Sequence, residues 1–297
     1  MESPQAAGIT VVIPAFNEAG AIVATLKDLQ MALAALGRPS EVLVVDDGSR
    51  DETPALAAAA GVRVIRHPTN GGYGRSLITG LEAARFDTIV ITDADGTYPV
   101  NELPKLLAFY DTGFQMAVGA RTGSHYHGSI GKRLLRLVFR VLAEYTCGQK
   151  IPDINSGFRV FDRRPVLARK SALSTGFSFT TTITLLFMLT NLFVGYIPIS
   201  YNRRVGASKV RLLRDSARSA QIIVTAIAQF NPLKLFLLLV LVALAGNALL
   251  ILWLIFNPAN PSFLFPLLVA IGWNALVVVG AMAILSLVLI KPPERDR

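Results

Sequence analysis

Short apolar runs alternate with longer amphipathic stretches over the first part of the chain. Runs of this length predict buried strands, and the stretches between them have helical periodicity. The predicted strands are Ile9–Ile13, Glu41–Val45, Val62–Ile65, Thr88–Thr92 and Gln115–Gly119. The predicted helices are Glu18–Leu36, one following Ser49–Asp51, then Tyr73–Arg85 and Glu102–Phe109. This alternation predicts an α/β fold of the Rossmann-like kind, with a mostly parallel sheet flanked by helices on both faces.

The pattern becomes less regular after the fifth strand. We predict a loop, a basic amphipathic helix, a second helix and a closing strand, and we assign no regular element to the segment 153–161. The predicted elements are, in order, Thr122–Gly128, Ile130–Tyr145, Phe179–Phe193 and Tyr196–Tyr201. Together with the preceding strands they form one predicted catalytic domain over residues 9–202, behind a disordered N-terminus over residues 1–8.

The last third of the chain consists of a basic segment followed by two long apolar runs. Residues 203–218 hold six basic residues and one acid, so we predict a basic amphipathic helix over residues 203–231 that lies on anionic lipid. The runs Leu233–Phe256 and Phe263–Ile290 each exceed the roughly 20 residues needed to span a bilayer, which predicts a transmembrane hairpin over residues 232–291. Basic residues flank both spans, so the flanks, including the tail over residues 292–297, are expected in the cytoplasm. We expect no cleaved signal peptide before the first strand, and we expect the catalytic domain on the same side of the membrane as these flanks.

Composition narrows the choice of partners. The net charge is +9 and the mean hydropathy is +0.49, which favours a membrane carrying anionic lipids over nucleic acid. Small residues in the predicted spans, such as Gly246 and Gly272, permit close helix packing and are compatible with a homo-oligomer. The single cysteine, Cys147, excludes a disulfide within the chain.

Polar clusters follow three of the predicted strands: Asn17-Glu18, Asp46–Ser49 and Asp93-Ala94-Asp95. Parallel sheets bind ligands beyond the carboxyl ends of their strands. Two carboxylates spaced i, i+2 at a strand exit suit Mg²⁺ or Mn²⁺, although a capped turn would have the same sequence. The acids after the second strand suit hydrogen bonds to a base or ribose, or equally a turn and helix cap.

Six segments in order resemble glycosyltransferase family 2, a group of inverting enzymes with the GT-A fold. Four lie in the first hundred residues: VVIPAFNE (11–18), VVDDGSRDET (44–53), NGGYGRSLITG (70–80) and TDADGTYP (92–99). Two more, DINSGFRVF (153–161) and RRVGASK (203–209), resemble the branch of dolichol-phosphate mannose synthase and bacterial polyprenyl-phosphate glycosyltransferases. The resemblance covers nearly all of residues 9–210, and the apolar hairpin is similar to that of several bacterial members.

The resemblance implies roles for individual residues. A nucleotide-sugar would be bound by Pro14, Ala15, Glu18, Val45, Asp47, Asp93, Ala94 and Asp95, with a divalent metal, Mg²⁺ or Mn²⁺, on Asp93 and Asp95. Members of the branch often have glutamine where this chain has Thr97. The acceptor phosphate would be bound by Arg121, Arg133, Ser156, Arg203, Ser208 and Lys209. The expected catalytic residues are Asp95, Arg121 and Asp153; Asp153 could orient the sugar, act as a base or cap its segment.

The implied activity is transfer of a hexose from GDP-mannose or UDP-glucose to a polyprenyl or dolichyl phosphate. The enzyme is expected to be an integral membrane protein. Its resemblance to bacterial enzymes implies that this membrane is the bacterial inner membrane. An alcohol acceptor needs a base, whereas a lipid phosphate is already anionic near neutral pH and needs cations instead, which the basic residues supply. The alternatives are a membrane glycosyltransferase with a hydroxyl acceptor and a non-catalytic membrane protein that binds nucleotide-sugars.

Overall fold

The computed structural model describes residues 8–122, 130–202, 212–256 and 264–289, with side chains of the helix that begins at residue 130 described from residue 137 onward. The chain forms two compact units, Met1–Ser219 and Ala220–Arg297. The first contains the sheet and the motifs that precede residue 203. The predicted domain limits stay predictions.

The first unit is built on a sheet of seven strands in the order β3-β2-β1-β4-β6-β5-β7. Strand β6 is antiparallel to both of its neighbours, and the other six strands run in one direction. This arrangement confirms the predicted mostly parallel sheet. The strands are β1 Ile9–Ala15, β2 Ser40–Asp46, β3 Arg63–Arg66, β4 Thr88–Ile91, β5 Met116–Arg121, β6 Arg159–Asp162 and β7 Val194–Ile199.

Helices cover the sheet because its strands carry apolar side chains on both faces. In β1, Val11 and Ile13 belong to one buried cluster, whereas Val12 belongs to a second. Such two-sided burial explains why this strand is a continuous apolar run. The helices of the first unit that lie wholly within it are α1 Ile22–Ala34, α2 Thr53–Ala59, α3 Tyr73–Ala83, α4 Leu103–Tyr110, α5 Ile130–Cys147, α6 Arg163–Ala168 and α7 Phe179–Leu189.

Four elements differ from the sequence-based expectation: helix α6 was not predicted, α7 ends at Leu189 rather than Phe193, and two further differences affect the site. The segment 153–161 contributes strand β6, which pairs antiparallel between β4 and β5. The first helix begins at Ile22 rather than Glu18, because the chain at residues 17–19 is bonded to the loop that follows β2. Asn17 adopts a left-handed backbone with φ of 51°, which interrupts helical geometry there.

The chain continues through three further helices, α8 Leu212–Phe230, α9 Pro232–Phe256 and α10 Leu264–Leu289. Helices α9 and α10 are long and apolar enough to cross a membrane, with mean hydropathies of 2.9 and 2.0 over Pro232–Phe256 and Phe265–Ala283. The two pack against each other. Asn247 and Asn274 exchange side-chain amide hydrogen bonds of 3.3 Å between them, so their polar groups are paired within the hairpin.

Candidate active site

The loops that follow β1 and β2 are joined by hydrogen bonds. The backbone amide of Asn17 donates to the Ser49 hydroxyl at 2.9 Å, and that of Glu18 donates to Thr53 Oγ1 at 2.8 Å. In return, the Arg50 amide donates to Asn17 Oδ1 at 2.8 Å. The two strands are in register up to the pair Ala15 and Asp46. The edge predicted to hold a nucleotide is therefore held together by its own loops.

Asp47 links the end of β2 to the glycine-rich loop before α3. Its carboxylate accepts from the amides of Gly71 and Gly72, both at 2.8 Å, and lies 2.7 Å from Nδ1 of His67. A carboxylate only accepts hydrogen bonds, so Nδ1 carries a proton, and Nε2 contacts Thr79 Oγ1 at 3.0 Å. The sequence analysis assigns no role to His67; the signal that could have found it is its position directly after β3, in line with the polar clusters after β1, β2 and β4.

The other residues assigned to the nucleotide pocket lie at the same edge with different exposure. The side chains of Val45 and Ala15 are buried in the two core clusters, so only their backbone is placed to face a ligand. Pro14 and Glu18 are partly exposed. The residues predicted for the nucleotide pocket thus include both buried and partly exposed side chains.

Asp93, Ala94 and Asp95 form the turn that follows β4. Ala94 is buried and its carbonyl accepts from Thr25 Oγ1 of α1 at 3.3 Å. Asp95 is also buried, and its Oδ1 accepts from both the amide and the hydroxyl of Thr97, at 3.1 and 2.6 Å. Thr97 therefore orients Asp95 from within the turn. The Asp93 carboxylate and the Tyr73 hydroxyl, at the start of α3, both lie beside Gly157: a methyl group on that glycine would lie 3.1 Å from Asp93 Oδ1 and 3.0 Å from the hydroxyl oxygen.

This donor set fits a hard divalent cation that shares its coordination with a substrate. Asp93 and Asp95 supply carboxylate oxygens, which Mg²⁺ and Mn²⁺ prefer. Among the described residues no group of three or more His, Cys, Asp or Glu side chains could hold a metal. Two carboxylates suit Mg²⁺, which is usually bound through one or two carboxylates together with waters and substrate phosphates.

Arg121 and Asp153 form a bidentate ion pair at the end of β5. The guanidinium donates to the two carboxylate oxygens at 2.7 and 2.9 Å, and the backbone amide of Arg121 donates to Oδ2 at 3.2 Å. Burial alone would raise the pKa of Asp153, but the charge and hydrogen bonds of Arg121 outweigh it and hold the pKa below the usual value. The Arg121 guanidinium also lies 5.3 Å from the centre of the Tyr201 ring.

The segment Ser156-Gly157 connects this pair to the Asp93 turn. The Gly157 amide donates to the Tyr98 hydroxyl at 2.6 Å, and the Tyr98 ring packs edge-on against Tyr201. Ser156, predicted at the acceptor, is fully buried; its hydroxyl donates to the Gly119 carbonyl at 2.6 Å. The segment thus forms part of the floor between the two groups of charged residues.

Arg159 is fully buried in β6 beneath the same segment. It donates to the carbonyls of Ser156, Ile154 and Thr180 and to the Thr184 hydroxyl, at 2.6 to 3.1 Å. Burial lowers the pKa of Arg159 from its usual value, while neighbouring Tyr196 and Asp153 raise it. These contacts indicate that the arginine of the SGFR motif fixes the loop that carries Asp153 and Ser156.

Several predicted acceptor residues fall outside the described part of the chain. The side chain of Arg133 and residues Arg203, Ser208 and Lys209 are not described. The described chain before residue 203 ends at Asn202, whose amide donates to the Thr97 carbonyl at 2.9 Å. The motif RRVGASK therefore begins one residue after a contact with Thr97, the residue that orients Asp95.

A family model describes the chain over most of the first unit. The model of glycosyl transferase family 2 matches residues 10–168. The chain belongs to glycosyl transferase family 2. The match includes the strands that end at Ala15, Asp46 and Ile91, and thus the whole edge described above.

Two curated relatives from Haloferax volcanii extend this comparison. The chain is 33% identical to the low-salt glycan biosynthesis hexosyltransferase Agl6, over 73% of this chain and 53% of that protein, so it spans about half of that relative's length. It is 30% identical to a dolichyl-phosphate hexose transferase, over 68% of this chain and 86% of that protein. The second relative, by its name, belongs to the predicted branch of polyprenyl-phosphate enzymes.

Solved structures with the same fold include the glucosyl-3-phosphoglycerate synthase of Mycobacterium tuberculosis in complex with Mn²⁺, UDP and glucosyl-3-phosphoglycerate. The TM-score is 0.58 with 22% identity, over 75% of this chain and 80% of that chain. At this identity the likeness concerns the fold, and it confirms the predicted GT-A-type architecture.

Proposed function

We propose that this family member is an inverting glycosyltransferase that moves a hexose from a nucleotide-sugar to a polyprenyl or dolichyl phosphate at a membrane surface. The observation that carries the proposal is the pairing of two chemistries at one edge of the sheet: the carboxylates of Asp93 and Asp95 after β4, and a guanidinium, Arg121, at the end of β5. The name of the dolichyl-phosphate hexose transferase relative supports both the sugar and the acceptor class. GDP-mannose and UDP-glucose are the donors we favour.

On the donor side, Asp93 and Asp95 would hold a divalent metal, Mg²⁺ or Mn²⁺, together with the diphosphate. Such a cation neutralises the negative charge that builds on the leaving diphosphate. Thr97 holds the Asp95 carboxylate toward this place through two hydrogen bonds. The remaining donor contacts are assigned to Pro14, Ala15, Glu18, Val45, Asp47 and Ala94.

On the acceptor side, a lipid monophosphate needs cations rather than a base. Its second pKa is about 6, so near neutral pH an anionic oxygen is available for attack. That oxygen forms a bond to the anomeric carbon while the bond from this carbon to the diphosphate breaks, and no proton has to be removed. The acceptor phosphate is assigned to Arg121, Arg133, Ser156, Arg203, Ser208 and Lys209.

We assign Asp153 to the orientation of Arg121. Its two oxygens are engaged by the guanidinium, and its lowered pKa makes it a weak base. Held in this way, the Arg121 guanidinium keeps a fixed direction when a phosphate approaches. The proposed membrane location, with the first unit on the cytoplasmic side, places these residues where a lipid phosphate head group is available.

The test is transfer of radiolabelled sugar to a short polyprenyl phosphate by the full chain in detergent. UDP-glucose and GDP-mannose are compared as donors, each with Mg²⁺, Mn²⁺ or EDTA, and the matching polyprenol serves as a hydroxyl acceptor. We expect a metal-dependent lipid product from one donor with the phosphate acceptor only.

Two carboxylate variants complete this experiment. Asp95→Asn should abolish the product, whereas Asp28→Asn, at an exposed position on α1, should leave it unchanged. Product with the polyprenol, or no product from either donor with folded protein, would refute the lipid-phosphate acceptor.

A further inference from the structure

His67 bridges the end of β2 and the middle of α3, and the roles assigned so far do not include it. Its backbone amide donates to the Asp46 carbonyl at 2.8 Å, just beyond the last paired residues of β2 and β3. Its ring lies between two side chains: Nδ1 is 2.7 Å from Asp47 Oδ1, and Nε2 is 3.0 Å from Thr79 Oγ1. A hydroxyl can donate or accept, so Thr79 satisfies Nε2 in either form, while Nδ1 donates to Asp47.

The Asp47 carboxylate supplies the cap that α3 lacks in its own sequence. The residue before the helix is Gly72, which has no side chain that could cap it. Oδ1 of Asp47 accepts from the Gly71 amide and Oδ2 from the Gly72 amide, both at 2.8 Å. Amides at the start of a helix have no partner within the helix, and a negative charge there is favourable. The position of this carboxylate therefore determines where the glycine-rich loop lies.

The turn that carries Asp47 is closely packed. The side chains of Asp47 and His67 are only 5% and 12% exposed. Gly48 has φ of 75°, and a methyl group on it would lie 2.9 Å from the carbonyl carbon of Thr69 and 3.1 Å from the backbone nitrogen of Asn70. The chain between His67 and the glycine-rich loop thus passes directly over the turn. Backbone and side-chain contacts both hold this turn against the loop.

His67 adds the third hydrogen bond to the Asp47 carboxylate. Oδ1 accepts from both His67 and the Gly71 amide, and Oδ2 accepts from the Gly72 amide. Each carboxylate oxygen has two acceptor positions, so two donors on Oδ1 fix the plane of the group. The bond from the imidazole is the only one of the three that comes from a side chain, and it can be removed without changing the loop sequence.

We propose that His67 is a positioning residue that holds the Asp47 carboxylate, and with it the glycine-rich loop, in the form that binds the nucleoside diphosphate part of the donor. The inference rests on the proposed function, which assigns Asp47 to the nucleotide pocket. Without the Nδ1 bond, the carboxylate can leave the two amides, and a nucleotide then binds only the fraction of molecules in which it is in place. Apparent affinity falls in proportion to that fraction. His67 acts through Asp47, and contact with the donor is no part of the role.

The test compares two substitutions that retain opposite halves of the imidazole. Asparagine places its side-chain nitrogen near the position of Nδ1, and glutamine places it near that of Nε2. His67→Asn can therefore still donate to Asp47, whereas His67→Gln reaches only Thr79. Binding of GDP and of UDP to the full chain in detergent with Mg²⁺ is measured by isothermal titration calorimetry. We expect His67→Gln to weaken the preferred nucleotide about 10-fold, and His67→Asn to bind it nearly as the wild type does.

Thr79→Val is the matched control. It removes the contact with Nε2, keeps the shape of the side chain and leaves the bond from Nδ1 to Asp47 in place, so nucleotide affinity should not change. A second measurement separates positioning from stability. In His67→Gln the KM for the nucleotide-sugar should rise by the same factor as the Kd while kcat stays at the wild-type value, because saturating donor restores the competent form. A loss of stability alone would lower the melting temperature and leave KM unchanged.

The proposed function and the role of His67 fail in different ways. If the wild type binds neither nucleotide, the proposed function itself is refuted. If the wild type binds one and His67→Gln binds it equally well, only the positioning role is refuted. The role is also refuted if His67→Asn or Thr79→Val weakens binding as much as His67→Gln, since the effect would not follow the bond to Asp47. Should His67→Gln fail to fold, Asp47→Asn replaces it, because an amide cannot accept all three bonds; wild-type affinity of that variant would refute the role.

Discussion

At the scale of single residues, the Arg121–Asp153 ion pair holds two opposite charges with little exposure to water. Asp153 is almost fully buried, with 2% of its side chain exposed, and Arg121 is 13% exposed. Removing both charges from water costs free energy, and the attraction between them offsets part of this cost. Removing one partner therefore leaves the other charge buried without compensation. The surface pair of Asp87 with Arg163 offers a contrast, since 37% of the Asp87 side chain is exposed.

We expect Asp153→Asn to destabilise the protein by up to about 3–5 kcal/mol, because it leaves Arg121 partly buried without a counter-charge. Asp87→Asn should cost about 1 kcal/mol or less, since water screens the surface pair. Denaturant unfolding of the two variants in detergent at pH 7 checks this. Equal destabilisation would show that burial does not set the strength of the Arg121–Asp153 pair.

The Arg121–Asp153 pair also determines how the stability of the protein changes with pH in the acidic range. The pKa of Asp153 is lowered, so its contribution to stability is complete above the ordinary carboxyl range near pH 4 and disappears as the pH falls through the lowered pKa. The wild type should therefore lose stability more steeply than Asp153→Asn on acidification below about pH 4. Parallel pH curves for the two proteins would contradict the assignment.

Single residues also show what sequence patterns could and could not indicate. Asp93 and Asp95 could be found because spacing and position after a strand are properties of the sequence. Arg159 could not be placed in the core, because a pattern of polar and apolar residues predicts that arginine is exposed. Its burial depends on carbonyls of Ile154, Ser156 and Thr180, which come together only in the folded chain.

At the scale of elements, the glycine-rich motif lies where helix α3 packs closely against the loop 174–176. Asp47 accepts from the amides that precede α3, and Tyr73 opens the helix, so a shift of this loop would affect two groups at the site. The close approach depends on Gly74, since a methyl group there would lie 2.1 Å from the Ser174 carbonyl oxygen. Gly176, in the facing loop, has no such restriction, and its methyl group would lie 3.7 Å from the nearest atom.

Gly74→Ala should destabilise the protein by about 1–3 kcal/mol, the usual range for overpacking, and should weaken nucleoside diphosphate binding by displacing the loop. Gly176→Ala should change both quantities little. Thermal unfolding and equilibrium binding of GDP and UDP provide the two measurements. Wild-type behaviour of Gly74→Ala would mean that the loops can separate without cost.

Element prediction from sequence succeeded where one pattern covers a whole element and failed where tertiary contacts define it. Strands β1, β2 and β4 consist mainly of apolar residues, and each is predicted within two residues of its observed ends. Strand β6 contains the buried Arg159, and its pairing with β4 and β5 comes from distant parts of the chain. The start of α1 likewise depends on Ser49 and Asp51 of another loop and on Thr53, the first residue of α2.

At the scale of the whole molecule, charge and hydropathy are distributed unevenly. The net charge of +9 coexists with two helices whose mean hydropathies are 2.9 and 2.0. This uneven distribution can be predicted from the sequence, because the length of an apolar span and the number of flanking charges are counted along the chain. The identity of the sugar is different, since it depends on the shape of a pocket formed by several loops.

The flanking charges predict one topology. Six basic residues lie in residues 203–218, before the first span, and Lys291, Arg295 and Arg297 follow the second, whereas residues 257–262 between the spans are uncharged. Loops rich in Lys and Arg remain in the cytoplasm, so the hairpin tip should lie on the opposite side. In a Cys147→Ser background, Ser262→Cys should react with a membrane-impermeant maleimide on intact bacterial spheroplasts, and Arg295→Cys should react only after permeabilisation.

This topology matters for the chemistry because both sugar donors and metal ions are available in the cytoplasm, and the proposed acceptor presents its phosphate at the bilayer surface. Labelling of Arg295→Cys on intact spheroplasts would place the C-terminal flank outside and contradict the charge argument. If neither position reacted until permeabilisation, the two helices would not cross the membrane. Transfer to a lipid phosphate would then require a different attachment to the surface, through the basic residues that precede α9.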